Sequence, residues 1–178
     1  YPLSAQWLLA RATYDDPERT VAFFNTSLLQ QYFDAQELHF AHEFSFEPRL
    51  WPALRSQFGA GRSRARKIVV YGRPSTPRNA FPLIVDGLRR WVESYPRARK
   101  WSVVSVGQPH APIDLGRGVA LESLGKLDLE SYAELLRTSS IGLSLMVSPH
   151  PSFPPLEMAH LGMRVITNRF GGKDLATW

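Results

Sequence analysis

The spacing of apolar positions changes about one third of the way along this chain. Up to residue 57 it is uneven. Residues 3–13 place Leu3, Trp7, Leu8 and Ala12 on one helical stripe, which Asp15, Asp16 and Pro17 break. Residues 20–24 form a short strand-like run. Asn25, Thr26 and Ser27 then offer capping side chains ahead of a helix over 28–33. Residues 39–48 are aromatic and extended, and 49–57 have the spacing of a short helix. The stretch 58–66 (FGAGRSRAR) sets two glycines in a basic run. It predicts a boundary between a segment 1–58 and a domain 59–178.

Beyond that boundary, strand-type and helix-type patterns alternate. Residues 67–71 (KIVVY) and 101–106 (WSVVSV) read as buried strands, with an amphipathic helix over 79–95 between them. A third strand is predicted at 119–121, and a helix at 129–138 turns Tyr132, Leu135 and Leu136 inward. A strand at 141–147 (IGLSLMV), a proline-rich turn, a helix at 155–161 and a strand at 164–167 complete the series. Strands separated by helices of about ten residues imply crossover connections and a parallel sheet. The predicted class is therefore α/β, with a Rossmann-like parallel sheet. Such sheets bind ligands beyond the carboxyl ends of their strands. That directs attention to the residues after Tyr71, Val106, Leu121 and Val147.

Composition narrows the field. Hydrophobic residues make up 44% and charged residues 21% of 178 residues, which is ordinary globular usage. No apolar run approaches the ~20 residues a membrane helix needs, and no signal peptide opens the chain. The absence of cysteine excludes disulfides and cysteine-based zinc sites and suits a cytoplasmic protein. The chain opens on Tyr1 and stops at Trp178 just after a new element begins, so it reads as a piece of a longer protein. A formal charge of +5 comes with basic residues at Arg62, Arg64, Arg66 and Lys67 and again from Arg89 to Lys100. It favours an anionic partner, although a solvated linker and helix face is the commoner origin of such a balance.

Three constellations carry candidate chemistry. Gly72-Arg73-Pro74-Ser75-Thr76-Pro77-Arg78-Asn79 stands between a strand and a helix. Gly72 permits a sharp turn, and Arg73 and Arg78 can converge on one anion with forked donors that match phosphate oxygens. Two surface arginines in a loop are also common without any ligand. The second constellation, SPHPSFPPLEMA over 148–159, has a loop stiffened by prolines, with His150, Ser152 and Phe153 available to a ligand. Pro155 suits a first helical turn whose N-terminus attracts phosphate. Glu157 just inside that helix can accept hydrogen bonds from vicinal sugar hydroxyls, or can simply favour the helix start as any early acid does. The third comprises Gly107 and Gly125-Lys126, in loops able to present backbone groups and a cation to a base or sugar. No phosphate-binding P-loop, no GxGxxG and no Asp-x-Asp pair occurs. His39 and His42 lack an evident third ligand, so a metal site is not expected.

A strand ending in Gly72-Arg73, a basic residue five positions later at Arg78, and a late proline-rich turn into Glu157-x-x-Ala resemble retaining GT-B glycosyltransferases. The likeness implies that this chain is the C-terminal, donor-binding half of such an enzyme, with residues 1–58 the tail of its acceptor domain and the link between domains. It implies Arg73 and Arg78 on the donor diphosphate, stabilising the leaving group, and Glu157 on the ribose. Gly162 and Val165 match the family's A-x-G-x-P-V segment, but Arg164 stands where proline is usual. The family's first glutamate is missing, since the count back from Glu157 reaches Pro149, beside His150. The strings YGRP, SPHPSFPPLEMA and ITN…KDL are similar to a narrower branch, the rhamnosyltransferases that build bacterial surface rhamnans and S-layer glycans from dTDP-L-rhamnose.

The resemblance further implies transfer without metal or other cofactor, from a nucleotide-diphosphate sugar to a glycan acceptor held mainly by an upstream domain. The basic linker would hold such a cytoplasmic enzyme to the anionic inner face of the membrane, where lipid-linked acceptors reside, and no nucleic-acid partner is expected. Because acceptor-holding groups would lie upstream, this chain is expected to bind donor without transferring sugar. The residues also leave open a non-catalytic nucleotide-sugar-binding module. A nucleic-acid-binding domain is favoured by charge alone, without interleaved stacking aromatics.

Overall fold

A computed structural model of the chain describes residues 16–55, 63–148 and 152–170. The chain divides into two compact units, one built mainly on residues up to Arg49, the other on Leu50–Val147 and Ser152–Asn168. The helix predicted over 3–13 and most of the predicted boundary stretch lie outside the described residues.

In the first unit, strands β1 (Val21–Phe24) and β2 (His42–Ser45) run parallel with helix α1 (Ser27–Asp34) between them. Phe24 is buried against Phe33 and Phe40 on the helix side. Phe23 and Phe44 stack on the other face with ring centroids 5.2 Å apart. Thr26 caps α1 by accepting from Leu28 N–H. Ser27 N–H and Oγ donate to Glu47 at 3.0 and 2.5 Å, and these bonds hold the Glu47 carboxyl below its ordinary pKa.

The second unit begins with the short helix α2 (Pro52–Arg55) and continues into a six-stranded sheet. Its elements in chain order are β3 (Ala65–Gly72), α3 (Phe81–Ser94), β4 (Ser102–Gly107), β5 (Ile113–Gly116), β6 (Val119–Ser123), α4 (Leu129–Thr138), β7 (Ser139–Leu143), α5 (Phe153–His160) and β8 (Arg164–Ile166). The sheet order is β5-β6-β4-β3-β7-β8, parallel throughout except for β5, which pairs antiparallel with β6. The α/β class with a mostly parallel, Rossmann-like sheet thus holds.

Alternation along β3 sets the layers. Ile68 and Val70 face α3, whose Phe81, Ile84, Val85, Leu88 and Val92 are all buried. Each such side chain contributes about 1.5–3 kcal/mol on burial. Val69 and Tyr71 face the opposite side, where Leu54 of α2, Ala133 and Leu136 of α4, Met158 of α5 and Leu161 just after it pack. Burial on both faces explains why residues 68–71 of β3 read as an unbroken apolar run, and why β4 sends Val103 to one layer and Val104 and Val106 to the other.

Four expectations need correction. The helix predicted from 79 is interrupted: Pro77–Asn79 form a 3-10 turn, Ala80 sits in the left-handed region at φ 47°, ψ 39°, and α3 starts at Phe81 with Pro82 second. Strand β5 was not foreseen, because Asp114 and the turn Gly116-Arg117-Gly118 mask so short an apolar signal. Strand β7 spans Ser139–Leu143 rather than 141–147. Beyond Leu143 the chain pairs instead towards β8, through Ser144 N–H to Ile166 O at 3.1 Å and the Asn168 amide to both backbone groups of Met146. Finally, α5 begins at Phe153, two residues before the predicted start.

Candidate functional site

The chain leaves the central strand β3 to build β4 and β6 on one side, then returns to place β7 and β8 on the other. The order reverses between β3 and β7, and a crevice opens outside the carboxyl ends at such a reversal. The segments that follow these two strands meet there: Val147 N–H donates to Arg78 O at 2.7 Å.

Around β3 and β4 the loops approach one another closely. Gln108 N–H donates to Gly72 O at 2.9 Å, and Gly107 N–H to Gly125 O at 2.9 Å. Gln108 Oε1 accepts from both Ser75 N–H and Ser75 Oγ, at 3.0 and 2.7 Å, which pins the middle of the arginine loop. A β-carbon on Gly107 would meet Gly72 O at 2.7 Å and Arg73 Cγ at 3.3 Å; at φ 124° only glycine is at ease there. A β-carbon on Gly72 would meet the Phe81 ring at 2.8 Å. Gly72, Arg73, Gly107 and Gly125 therefore form one connected patch, with Lys126 exposed next to Gly125. Arg73 and Arg78 are both exposed, and neither has an acidic partner among the described residues. Uncompensated guanidinium groups at a crevice are what an incoming anion requires.

His110 in the same loop is structural. Its Nδ1 lies 2.7 Å from Ala111 O, which can only accept, so Nδ1 carries the proton and Nε2 accepts from Ser105 Oγ at 2.6 Å. Ser105 is fully buried and unavailable as a nucleophile.

On the α5 side, Ser152 is the N-cap residue and Phe153 the first helical residue, partly exposed. Pro154 and Pro155 occupy the next two positions and lack N–H groups, so this helix start presents fewer donors to phosphate than the sequence suggested. Glu157 is the fifth helical residue, in the second turn rather than the first. Its Oε2 accepts from Tyr132 Oη at 2.9 Å, and burial raises its pKa while that bond opposes the rise. Burial first, and then the Glu157 charge, push the Tyr132 hydroxyl far upward, so it stays a donor. Glu157 has no ion pair with either arginine among the described residues. His150 lies outside the described residues.

Three polar residues stand out in the segments leaving β3 and β7: Ser152, already a candidate from the sequence, and Asn79 and Ser144, to which sequence reasoning gave no role. Asn79, Ser144 and Ser152 are each at most 3% exposed, and both amide atoms of Asn79 and both hydroxyls lack a hydrogen-bond partner among the described residues. An unpaired buried polar group costs about 1–3 kcal/mol, so its presence invites explanation. Nothing in local spacing distinguishes Asn79 and Ser144 from ordinary loop residues.

Elsewhere, a hollow of about 280 Å³ is lined by Tyr95, Pro96, Ala98, Arg99 and Arg117. These residues lead into β4 and β6, which puts it at the amino edge of the sheet, away from the crevice. In the first unit His39 groups with Asp34 and Glu43, not with His42, but Glu43 already accepts from Phe40 N–H and Gln30.

The "O-antigen biosynthesis protein RfbC" of Myxococcus xanthus is 31% identical over 145 residues, which is 82% of this chain and 11% of that protein. The chain thus spans about a tenth of the relative's length. A family model described as "WsaF, C-terminal domain" matches residues 66–178, a range that runs from β3 past β8 and takes in both arginines and Glu157. By that match over more than half its length, the chain belongs to the WsaF C-terminal-domain family.

Proposed function

We propose that the chain is the donor-binding part of a glycosyltransferase of bacterial polysaccharide synthesis, taking a nucleoside-diphosphate sugar, specifically dTDP-L-rhamnose. The observation that carries this reading is the pair of exposed arginines, Arg73 and Arg78, without an acidic partner among the described residues, in the loop leaving the central strand of a WsaF-type domain. Donor contacts would also come from Gly72, Gly107, Gly125, Lys126, His150, Ser152, Phe153 and Glu157.

The proposed reaction is that of a retaining GT-B enzyme working without a metal. The bond from the anomeric carbon to the diphosphate breaks, a bond to the acceptor oxygen forms, and the acceptor proton passes to the leaving phosphate. Arg73 and Arg78 would act where charge develops, on the departing diphosphate, the electrostatic contribution that commonly dominates such steps. The acceptor glycan would be held mainly by a further domain, and the enzyme would work at the cytoplasmic face of a membrane. Support for the glycan context is the likeness to an O-antigen biosynthesis protein.

Calorimetric titration of the chain with dTDP, UDP, GDP and dTDP-rhamnose tests this. Saturable binding of dTDP-rhamnose, weakened in Arg73→Ala and Arg78→Ala, is the expected result. No binding of any of the four would overturn it.

A further inference from the structure

The hollow of about 280 Å³ at the amino edge of the sheet has walls of two kinds. On one side the chain leaving α3 packs as a fixed corner. Ala98 N–H donates to Tyr95 O at 3.0 Å and Trp101 N–H to Ala98 O at 2.9 Å, and Ala98 is buried. The Tyr95 ring stacks on Trp91 with centroids 5.8 Å apart, and Trp91 meets Trp101 edge-on at 6.3 Å. Tyr95 and Pro96 thus offer an apolar wall that is in place before any ligand arrives.

The other side is cationic. Arg99 Nε donates to Arg117 O at 2.6 Å, which ties the corner to the turn between β5 and β6. Both terminal nitrogens of Arg99 and the whole guanidinium of Arg117 remain without a partner among the described residues. The acid nearby in sequence, Asp114, makes no ion pair among them, and its Oδ1 accepts from Gly116 N–H at 2.8 Å. Arg117 also stands in the left-handed region, at φ 52° between Gly116 at 93° and Gly118 at 74°. Glycine or asparagine would take that place with less strain, so the turn by itself does not call for an arginine.

A guanidinium held by a backbone bond, a second on a strained turn and an apolar wall beside them suit a phosphate ester. The phosphoryl oxygens accept from the forked donors, and the organic part lies on the Tyr95 ring. The volume is close to that of the smallest ligand pockets, about 300 Å³, which suits a phosphoryl group on a small polyol. We propose that this hollow is a second anion site, apart from the crevice at the carboxyl ends, and that it takes a phosphate ester of a small polyol through Arg99 and Arg117. The proposal does not depend on the donor reading. Two sources carry this chemistry, a soluble phosphate ester and the headgroup of a phospholipid.

The test uses glycerol phosphate, and vesicles of phosphatidylcholine with and without phosphatidylglycerol, at constant ionic strength. The chain carries Arg73→Ala and Arg78→Ala throughout, so the crevice arginines contribute nothing. Calorimetry should show saturable binding of glycerol phosphate, weakened about tenfold by Arg99→Gln and by Arg117→Gly, the lower end of the scale for hydrogen bonds to a charged group. Arg117→Gly relieves the turn and should melt no lower than its parent, which separates lost binding from lost folding. Arg90→Gln removes the same charge from the exposed face of α3 and should leave binding unchanged. Added binding to phosphatidylglycerol vesicles, lost in the same two variants, identifies the headgroup as the source. Binding of glycerol phosphate alone identifies the soluble ester. No binding of either probe overturns the proposal, and so does a loss in Arg90→Gln equal to that in the two lining variants.

Discussion

A β-carbon built on Gly142 would lie 2.5 Å from Sδ of Met158 and 3.1 Å from its Cβ and Cγ. The sulfur could swing aside, but Cβ is fixed to the helix, so α5 sits as low on the sheet as a bare glycine allows. Gly142→Ala should destabilise the second unit by about 1–3 kcal/mol, the usual cost of overpacking. Because α5 also carries Glu157, the same change should weaken nucleotide-diphosphate binding. Urea unfolding and calorimetry on one preparation check both effects.

Arg73→Ala and Arg78→Ala should each cost about 1.5–3 kcal/mol of nucleotide-diphosphate affinity, the scale of hydrogen bonds to a charged group. Arg73→Lys should recover only part, since a point charge replaces a fork. Thermal melting should show all three variants folded, because both side chains are exposed and have no ion pair among the described residues. Unchanged affinity in both alanine variants would remove these residues from the site.

Arg64 was read as part of a basic run facing solvent or an anionic partner. Its guanidinium instead donates to Leu136 O at 3.1 Å, Ser139 O at 2.6 Å and Leu161 O at 2.5 Å, closing the carboxyl ends of α4 and α5 together. Gly162, at φ 84°, gives it room, as a β-carbon there would meet Nη2 at 2.6 Å. Three helix-end carbonyls facing one cation satisfy the groups that a helix leaves open and complement both dipoles. Arg64→Ala should lower stability by about 1.5–3 kcal/mol in urea unfolding, at low and high salt alike.

Glu157 and pH are linked with a definite sign. Its folded pKa lies above the ordinary carboxylate value, so the folded chain keeps this proton longer than the unfolded one. Its contribution is therefore most favourable at acid pH, below the unfolded value, and is lost as pH rises through the folded value. Glu157→Gln should grow more stable relative to the parent as pH is raised from about 4 to 7. Glu47 and Asp128, held low by hydrogen bonds, act with the opposite sign but are common to both chains and cancel in the difference. A stability difference that stays flat across this range would contradict the burial of the Glu157 carboxyl.

What the sequence made legible was local. The apolar runs of β3 and β4, the turn at Gly72 with its two arginines, and the stripe of α3 all depend on neighbours a few residues away. What stayed hidden depends on distant partners. The carbonyls that Arg64 binds lie 72, 75 and 97 residues along the chain, and Tyr132 meets Glu157 across 25. Tyr132 was expected to face inward and does, but inward spacing does not reveal what its hydroxyl touches. Ala80 hid for another reason. Alanine favours helix, so only the structure shows it in the left-handed region, where the backbone costs about 1–2 kcal/mol.

The sheet ends on one side at β5, four residues long, broken in register between Asp114 and Gly116 and closed by three consecutive residues at positive φ. On the other side lies β8, three residues long and opening on the exposed Arg164. A foreign strand adding to either border would find only one or two rungs to bond before the backbone turns away or a charge intervenes. Among the described residues, both borders of the parallel core thus offer little template for edge-to-edge pairing.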